Sequence, residues 1–235
     1  MVDSYVAVDL ETTGLDPKRD KIIEIGAVRV EGGEITADYG RFVNPYRLLE
    51  ERTTQLTGII DSDIADAPGI EEIIGEFLAF AGELPLLGHH VIFDYSFLKR
   101  AAVNSGREFE RPGIDTLQLA RLFMPAEEKK NLTAACEYFG VKQEKAHRAM
   151  ADAVAAHLLY QEMKKRFGRE CPQAFTEKSL IYKVKKEQPA SKRQKEHLQY
   201  LLKYHKISLT VQIDHLSRNE ISRITDKIIS QYGRI

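Results

Sequence analysis

Apolar residues follow two different periods along the chain, and each change of period marks an element. "SYVAVDL" (4–10) is a short, β-branched apolar run of the kind found in a buried strand. "KIIEIGAVRV" and "EITADYGRFVNP" flank Gly32 and Gly33 and read as a hairpin, so three adjacent strands are expected here. "GIEEIIGEFLAFAG" switches to helical spacing, "LPLLGHH" returns to a buried strand, and "DYSFLKRAAVNSG" is a helix closed by Gly106. "GIDTLQLARLF", "NLTAACEYFG" and "HRAMADAVAAHLLYQEMKKRF" then supply a strand end and three helices. The alternation predicts an α/β fold with mixed strand directions. Further on, "SKRQKEHLQYLLKYHKISL" and "LSRNEISRITDKIISQYG" have the spacing of two amphipathic helices. Ser191 is placed to cap the first, and Ser217 with Glu220 forms a capping-box pattern for the second.

Composition narrows the class. A chain of 235 residues, 43% hydrophobic and 29% charged, can bury one full core and keep material for a small second module. No stretch approaches the roughly 18 apolar residues of a membrane span, and the start lacks a basic region followed by an apolar one. No membrane role and a cytoplasmic location are therefore expected. Cys136 and Cys171 are too few for a disulfide framework and lack a CxxC spacing, so both read as structural thiols.

The net charge of −1 hides a division. Residues 161–235 carry 17 Lys and Arg against 8 Asp and Glu, an excess of nine positive charges, which leaves ten net negative charges on residues 1–160. The basic excess is densest in "MKKRFGRECPQAFTEKSLIYKVKKEQPASKRQK", where Gly168, Pro172 and Pro189 and little apolar periodicity read as a connection between units. The expected organisation is a domain at 1–167, a basic linker at 168–190 and a small helical module at 191–235. A module of that size has a marginal core, so docking on the first domain, oligomerisation and nucleic-acid binding all stay open for it.

Chemistry begins where the first strand ends, in "VDLETTGL". Strand side chains alternate, so Asp9 and Glu11 share a face while Leu10 points the other way. Two like charges converging on one spot disfavour folding unless a cation intervenes, and an oxygen-only donor set suits magnesium or manganese rather than zinc. A third acid, Asp94, sits near the start of a helix, where a capping role would be ordinary. The fourth is Asp152, five residues after His147. Five residues of helix turn through about 500°, so the two side chains cannot share a helical face. If both serve one site, His147 must lie on the entering loop, and the helix must start near Arg148 or Ala149.

"VAVDLETTGL", "GHHVIFDYSFL" and "HRAMADA", in that order, resemble the three motifs of the DEDDh exonuclease family, and "TQLTGI" at 54–59 resembles a further family segment. The resemblance covers residues 3–167. It implies an RNase H-like mixed sheet flanked by helices, two divalent metal ions (Mg2+ or Mn2+) held by Asp9, Glu11, Asp94 and Asp152, and His147 as the general base. It implies 3′-5′ hydrolysis of terminal phosphodiesters to nucleoside 5′-monophosphates, with single-stranded or frayed 3′ ends of DNA as substrate and a DNA polymerase as possible partner. Thr12, Thr13, Leu15 and Phe93 are the residues it assigns to the terminal nucleotide. His90, which also lines the site, stands where the family usually has asparagine, a departure that bears on substrate preference or rate. Two alternatives stay open: an RNA-trimming exoribonuclease of the oligoribonuclease or RNase T type, and a non-catalytic nucleic-acid-binding or assembly subunit. No polymerase segment is seen, so proofreading is expected to require a complex.

Overall fold

The hairpin signals at the N-terminal end set the order of the sheet. In the computed structural model, which describes residues 1–143 and 147–234, β1 (Tyr5–Thr12), β2 (Ile22–Glu31) and β3 (Glu34–Phe42) form an antiparallel meander. Gly32 and Gly33 turn the β2–β3 hairpin at positive φ. Helices α1 (Glu51–Thr57), α2 (Asp61–Ile64) and α3 (Ile70–Ala81) follow, and the chain crosses over to lay β4 (Leu86–Gly88) parallel to β1. Helix α4 (Ile92–Asn104) returns it to β5 (Pro112–Asp115), parallel to β4. Then come α5 (Thr116–Phe123), α6 (Leu132–Phe139) and α7 (Ala149–Phe167), and the short β6 (Lys178–Ser179) closes the far edge antiparallel to β5. The order is β3-β2-β1-β4-β5-β6, a mixed sheet flanked by helices, as the alternation predicted, and RNase H-like, as the family resemblance implied.

Period-two alternation along β1 divides the core between the two faces. Val6, Val8 and Leu10 join the layer that includes Ile73, Phe77, Tyr95 and Leu98 of α3 and α4. Tyr5 and Ala7 face the layer that includes Leu159, Tyr160 and Met163 of α7. His157, on the buried face of α7, is part of this second layer, with its Nδ1 2.9 Å from the Tyr5 hydroxyl. Among the described residues no helix is long and apolar enough to cross a membrane.

The stretch expected as a basic linker, 168–190, is partly built into the fold. A 3-10 turn at Pro172–Phe175 buries Phe175 completely against Phe123 and Tyr160, with ring centroids 5.7 and 5.9 Å away. β6 adds a strand, Leu180 and Tyr182 pack on the first layer, and Glu187 pairs with Arg100 at 2.7 Å. Single anchor residues do this work, so no periodicity announces it.

The C-terminal module is the helix pair α8 (Lys192–His205) and α9 (Arg218–Tyr232), closed around Leu198, Leu201, Leu216, Ile221 and Ile228. Both caps form as their sequences predict: the Ser191 and Ser217 hydroxyls accept from the backbone N–H groups of Gln194 and Glu220. Of the roles left open for the module, the structure shows docking on the first domain. Gln212 N–H donates to Tyr46 O and Leu48 N–H to Thr210 O, both at 2.8 Å, and the Tyr46 ring stacks on His215. Buried Glu220 accepts Lys21 at 2.9 Å and Arg47 at 3.3 Å. Burial opposes the charge of Glu220, but Lys21 and the Ser217 N–H hold its carboxyl below the usual range.

Candidate active site

Asp9 and Glu11 continue the row begun by Tyr5 and Ala7, on the face that α7 covers. At the C-terminal end of β1, where α7 begins, that apolar row gives way to carboxylates. Because β4 runs parallel to β1, the start of α4 reaches the same end of the sheet, a general location for sites in α/β folds. Asp94, third in α4, is almost wholly buried, and its Oδ1 accepts the Leu10 N–H at 3.1 Å. Its carboxylate thus joins helix to strand between the two neighbouring acids.

Asp152 comes from the first turn of α7, whose N-cap is Arg148. Residues 144–146 lie outside the described residues, so of the entering loop the structure gives His147 and Arg148. His147 is exposed, in a left-handed conformation (φ 61°), and its backbone N–H donates to Asp152 Oδ2 at 3.0 Å. Gln143 Nε2 donates to the other oxygen. Ligand atoms of Glu11, His147 and Asp152 all lie within 4.8 Å of one another, close enough to meet at a single cation. The helix start and the off-helix position of His147 are those that the five-residue spacing required.

Electrostatics tie Asp9 and Asp94 to this group. Burial, followed by the charges of Asp94, Asp152, Glu11 and Glu24, raises Asp9 well above the usual carboxylate range. Burial does the same to Asp94, against the Leu10 N–H, and Asp115 and Glu11 add to the rise. Burial pushes Glu11 up to about 7, with Asp152 and Glu24 adding and Arg148 opposing. Asp152 is raised by burial despite its two donors. Four acids, each desolvated and three of them neighbours of Asp9, are short of positive charge. That deficit and the all-carboxylate set with one imidazole fit hard divalent cations, which Asp9, Glu11, Asp94 and Asp152 can hold.

The other predicted residues lie at the end of β1, on the loop after it and around the start of α4. Thr12 Oγ1 donates to Gly14 O at 2.7 Å, and Thr13 Oγ1 accepts the Lys21 N–H at 3.0 Å, so both hydroxyls shape the loop after β1. Leu15 is 81% exposed at the tip of that loop. Phe93 is half-buried, with its ring 5.0 Å from that of Phe97. His90 is exposed at φ 76°, and its N–H donates to Asp115 Oδ1 at 2.9 Å. That left-handed conformation suits asparagine better than histidine, which gives a backbone reason for the usual family residue. Its neighbour His89 is structural: its ring nitrogens meet Thr116 Oγ1 and Lys130 O.

Sequence reasoning missed the parts that fix α7. Glu24, on β2 directly opposite Glu11, accepts Arg148 Nη2 at 2.9 Å and the first helical N–H, of Ala149, at 3.2 Å. Two residues on, Gly26 lies opposite Asp9, and a Cβ there would sit 2.1 Å from backbone atoms of Ala149 and Met150. An acid inside the otherwise apolar run "KIIEIGAV" is the one available signal, since a buried charge needs a partner. Gly26→Ala is therefore expected to push the first turn of α7 away from β2. Overpacking on backbone costs about 2–3 kcal/mol, which lowers thermal unfolding by roughly 5–10 °C for a chain of this size. Calorimetry checks this, and an unchanged midpoint contradicts the close contact.

A mixed sheet that gathers four carboxylates at the end of one strand and the starts of two helices defines an acid-centred hydrolase of the RNase H-like class. The exonuclease family model (RNase_T) matches residues 6–160, and the chain belongs to that family. It is 38% identical over 153 residues to the PolC-type DNA polymerase III of Clostridium perfringens, covering 65% of this chain and 11% of that protein. It is 38% identical over 151 residues to the DNA polymerase III subunit epsilon of Aquifex aeolicus, covering 64% of this chain and 75% of that one. The chain thus spans about a tenth of the PolC-type relatives and most of the epsilon subunit. Among solved structures, E. coli exonuclease I in complex with a dT13 oligonucleotide shares the fold (TM-score 0.65, 17% identity, 74% of this chain and 44% of that one). Exonuclease X in complex with 5′ overhanging duplex DNA aligns with TM-score 0.55 and 26% identity over 69% of this chain and 92% of that one.

Proposed function

We propose that this chain is a metal-dependent 3′-5′ exonuclease that hydrolyses terminal phosphodiesters of DNA to nucleoside 5′-monophosphates, in replication proofreading or repair in the cytoplasm. The observation that carries the reading is the cluster of half-buried Asp9 with buried Glu11, Asp94 and Asp152, beside the exposed His147. Two divalent ions, Mg2+ or Mn2+, held by those acids would supply water activation and neutralise charge on the reacting phosphoryl group. His147 accepts the proton of the attacking water from the solvent side, as a positioned general base. Asp152 holds the His147 backbone in place, and the Glu24–Arg148 pair holds the start of α7. Leu15, apolar and exposed on the loop after β1, would pack under the terminal base, and Thr12, Thr13, His90 and Phe93 would shape the pocket for its sugar.

DNA is favoured because exonuclease X and exonuclease I were captured with DNA, and likeness to the epsilon subunit favours a polymerase partner. The test is digestion of matched end-labelled single-stranded DNA and RNA with magnesium or manganese. Stepwise loss of 5′-monophosphates from the 3′ end of DNA is expected. Faster loss from RNA would move the assignment to an RNA-trimming enzyme, and no hydrolysis of either would leave a binding or assembly subunit.

A further inference from the structure

We propose that the cleft between the C-terminal module and the loop after β1 binds the phosphate backbone of the strand whose 3′ end is cut, an inference that rests on the nuclease reading above. The cleft is about 380 Å3 and is lined by Arg19, Arg47, Arg223 and Lys227, with Glu220 and a few apolar side chains. Its one acid is already used: Glu220 is buried and takes Lys21 and Arg47. Arg223 and Lys227 stand one turn apart on the same side of α9, both exposed, and neither makes an ion pair among the described residues. The contact of Arg19 with Asp16 is long (3.6 Å) and open to solvent. Arg47 adds a donor that nothing satisfies, because its Nε is buried without an acceptor. Donors therefore outnumber acceptors in a groove shaped by two units of the fold, which is the chemistry of an anion site.

Two observations favour a nucleic-acid strand over a small anion. The loop after β1 contributes Arg19 to the cleft, and it leaves β1 at Thr12, the residue that follows Glu11 of the acid cluster. Paired hydrogen bonds between Thr13 and Lys21 tie its ends together. The proposed path of the strand runs along this loop, from the end of β1 to Arg19 in the cleft. Second, residues 1–160 carry ten net negative charges, so the basic excess of the C-terminal part, which adds Arg223 and Lys227 to Arg19 and Arg47 in the cleft, favours a polyanion there.

The test uses the full chain with Arg223 and Lys227 both replaced by alanine. Neither touches the acid cluster, so hydrolysis of the p-nitrophenyl ester of thymidine 5′-monophosphate, which fills only the site, should be unchanged. For a long single-stranded oligothymidylate, KM should rise about tenfold at low salt with kcat constant. Binding by anisotropy, with calcium replacing magnesium, should lose about 1.4 from its log K against log salt slope, at about 0.7 per phosphate contact. Lys192→Ala, a cation on α8 outside the cleft, should change none of these. An unchanged slope, or equal loss on ester and oligonucleotide, overturns the proposal. So does thymidine monophosphate binding that disappears in the double variant while the slope stays, because the cleft would then hold small anions. Failure of the nuclease reading looks different: the wild type would cleave neither substrate, and anisotropy would still report on the cleft.

Discussion

Asp9→Asn is expected to lower magnesium- or manganese-dependent hydrolysis by roughly 10³-fold or more, while raising the thermal stability of the metal-free protein. The first effect follows because charge stabilisation by a bound divalent ion is worth several kcal/mol in the transition state, and each 1.36 kcal/mol is tenfold in rate. The second follows from burial. Asp9 is desolvated among Asp94, Asp152, Glu11 and Glu24, and an amide of the same shape removes the charge that these neighbours repel. The pH dependence has a definite sign. Glu11, raised from the usual 4.5 to about 7, contributes stability that is fully present below 4.5 and is lost as pH rises through 7. For this 8% exposed carboxyl the contribution is of the order of 3 kcal/mol. Metal-free wild type should therefore melt at higher temperature at pH 5 than at pH 8. Saturating metal should reverse the trend, because it binds only the folded, ionised cluster. Scanning calorimetry with and without EDTA reads both, and full activity in Asp9→Asn would refute the assignment of this acid.

Local rules carried the reading as far as local rules reach. Period-two alternation put Asp9 and Glu11 on one face, and they are found there, continuing the row of Tyr5 and Ala7. Helical geometry required His147 to sit ahead of α7, and the helix begins at Ala149. What stayed hidden depends on chain segments that meet only after folding. Glu24 and Arg148 are 124 positions apart, and nothing local to "IEIGAV" announces that Gly26 makes room for the first turn of α7. Phe175 and β6 were hidden for a different reason: a stretch that covers a sheet edge with one aromatic ring and two paired residues has no repeating face to detect. The docking of the C-terminal module was likewise out of reach. Besides backbone bonds and the Tyr46–His215 stack, it uses a buried carboxylate, Glu220, which in the sequence reads fully as a capping-box residue and yet also binds two cations of the first domain.

His147→Ala should cost about 10²–10⁴-fold in kcat, the range for loss of a positioned general base, while leaving the fold and the metal-induced rise in melting temperature intact. The geometry permits two roles for this side chain, and the experiment separates them. Its ring nitrogen lies within 4.8 Å of carboxylate oxygens of Glu11 and Asp152, so a fifth ligand is sterically allowed. Its exposure and its placement outside the helix favour a proton acceptor that reaches in from solvent, since a ligand gains from rigid, buried support. A base that is lost can be replaced from outside: added imidazole should restore part of the rate to His147→Ala, and should not do so for Asp9→Asn. A ligand that is lost weakens metal binding, so the magnesium concentration needed for half-maximal stabilisation would rise. Rescue by imidazole with an unchanged magnesium midpoint establishes the base, and a shifted midpoint without rescue makes His147 a metal ligand instead.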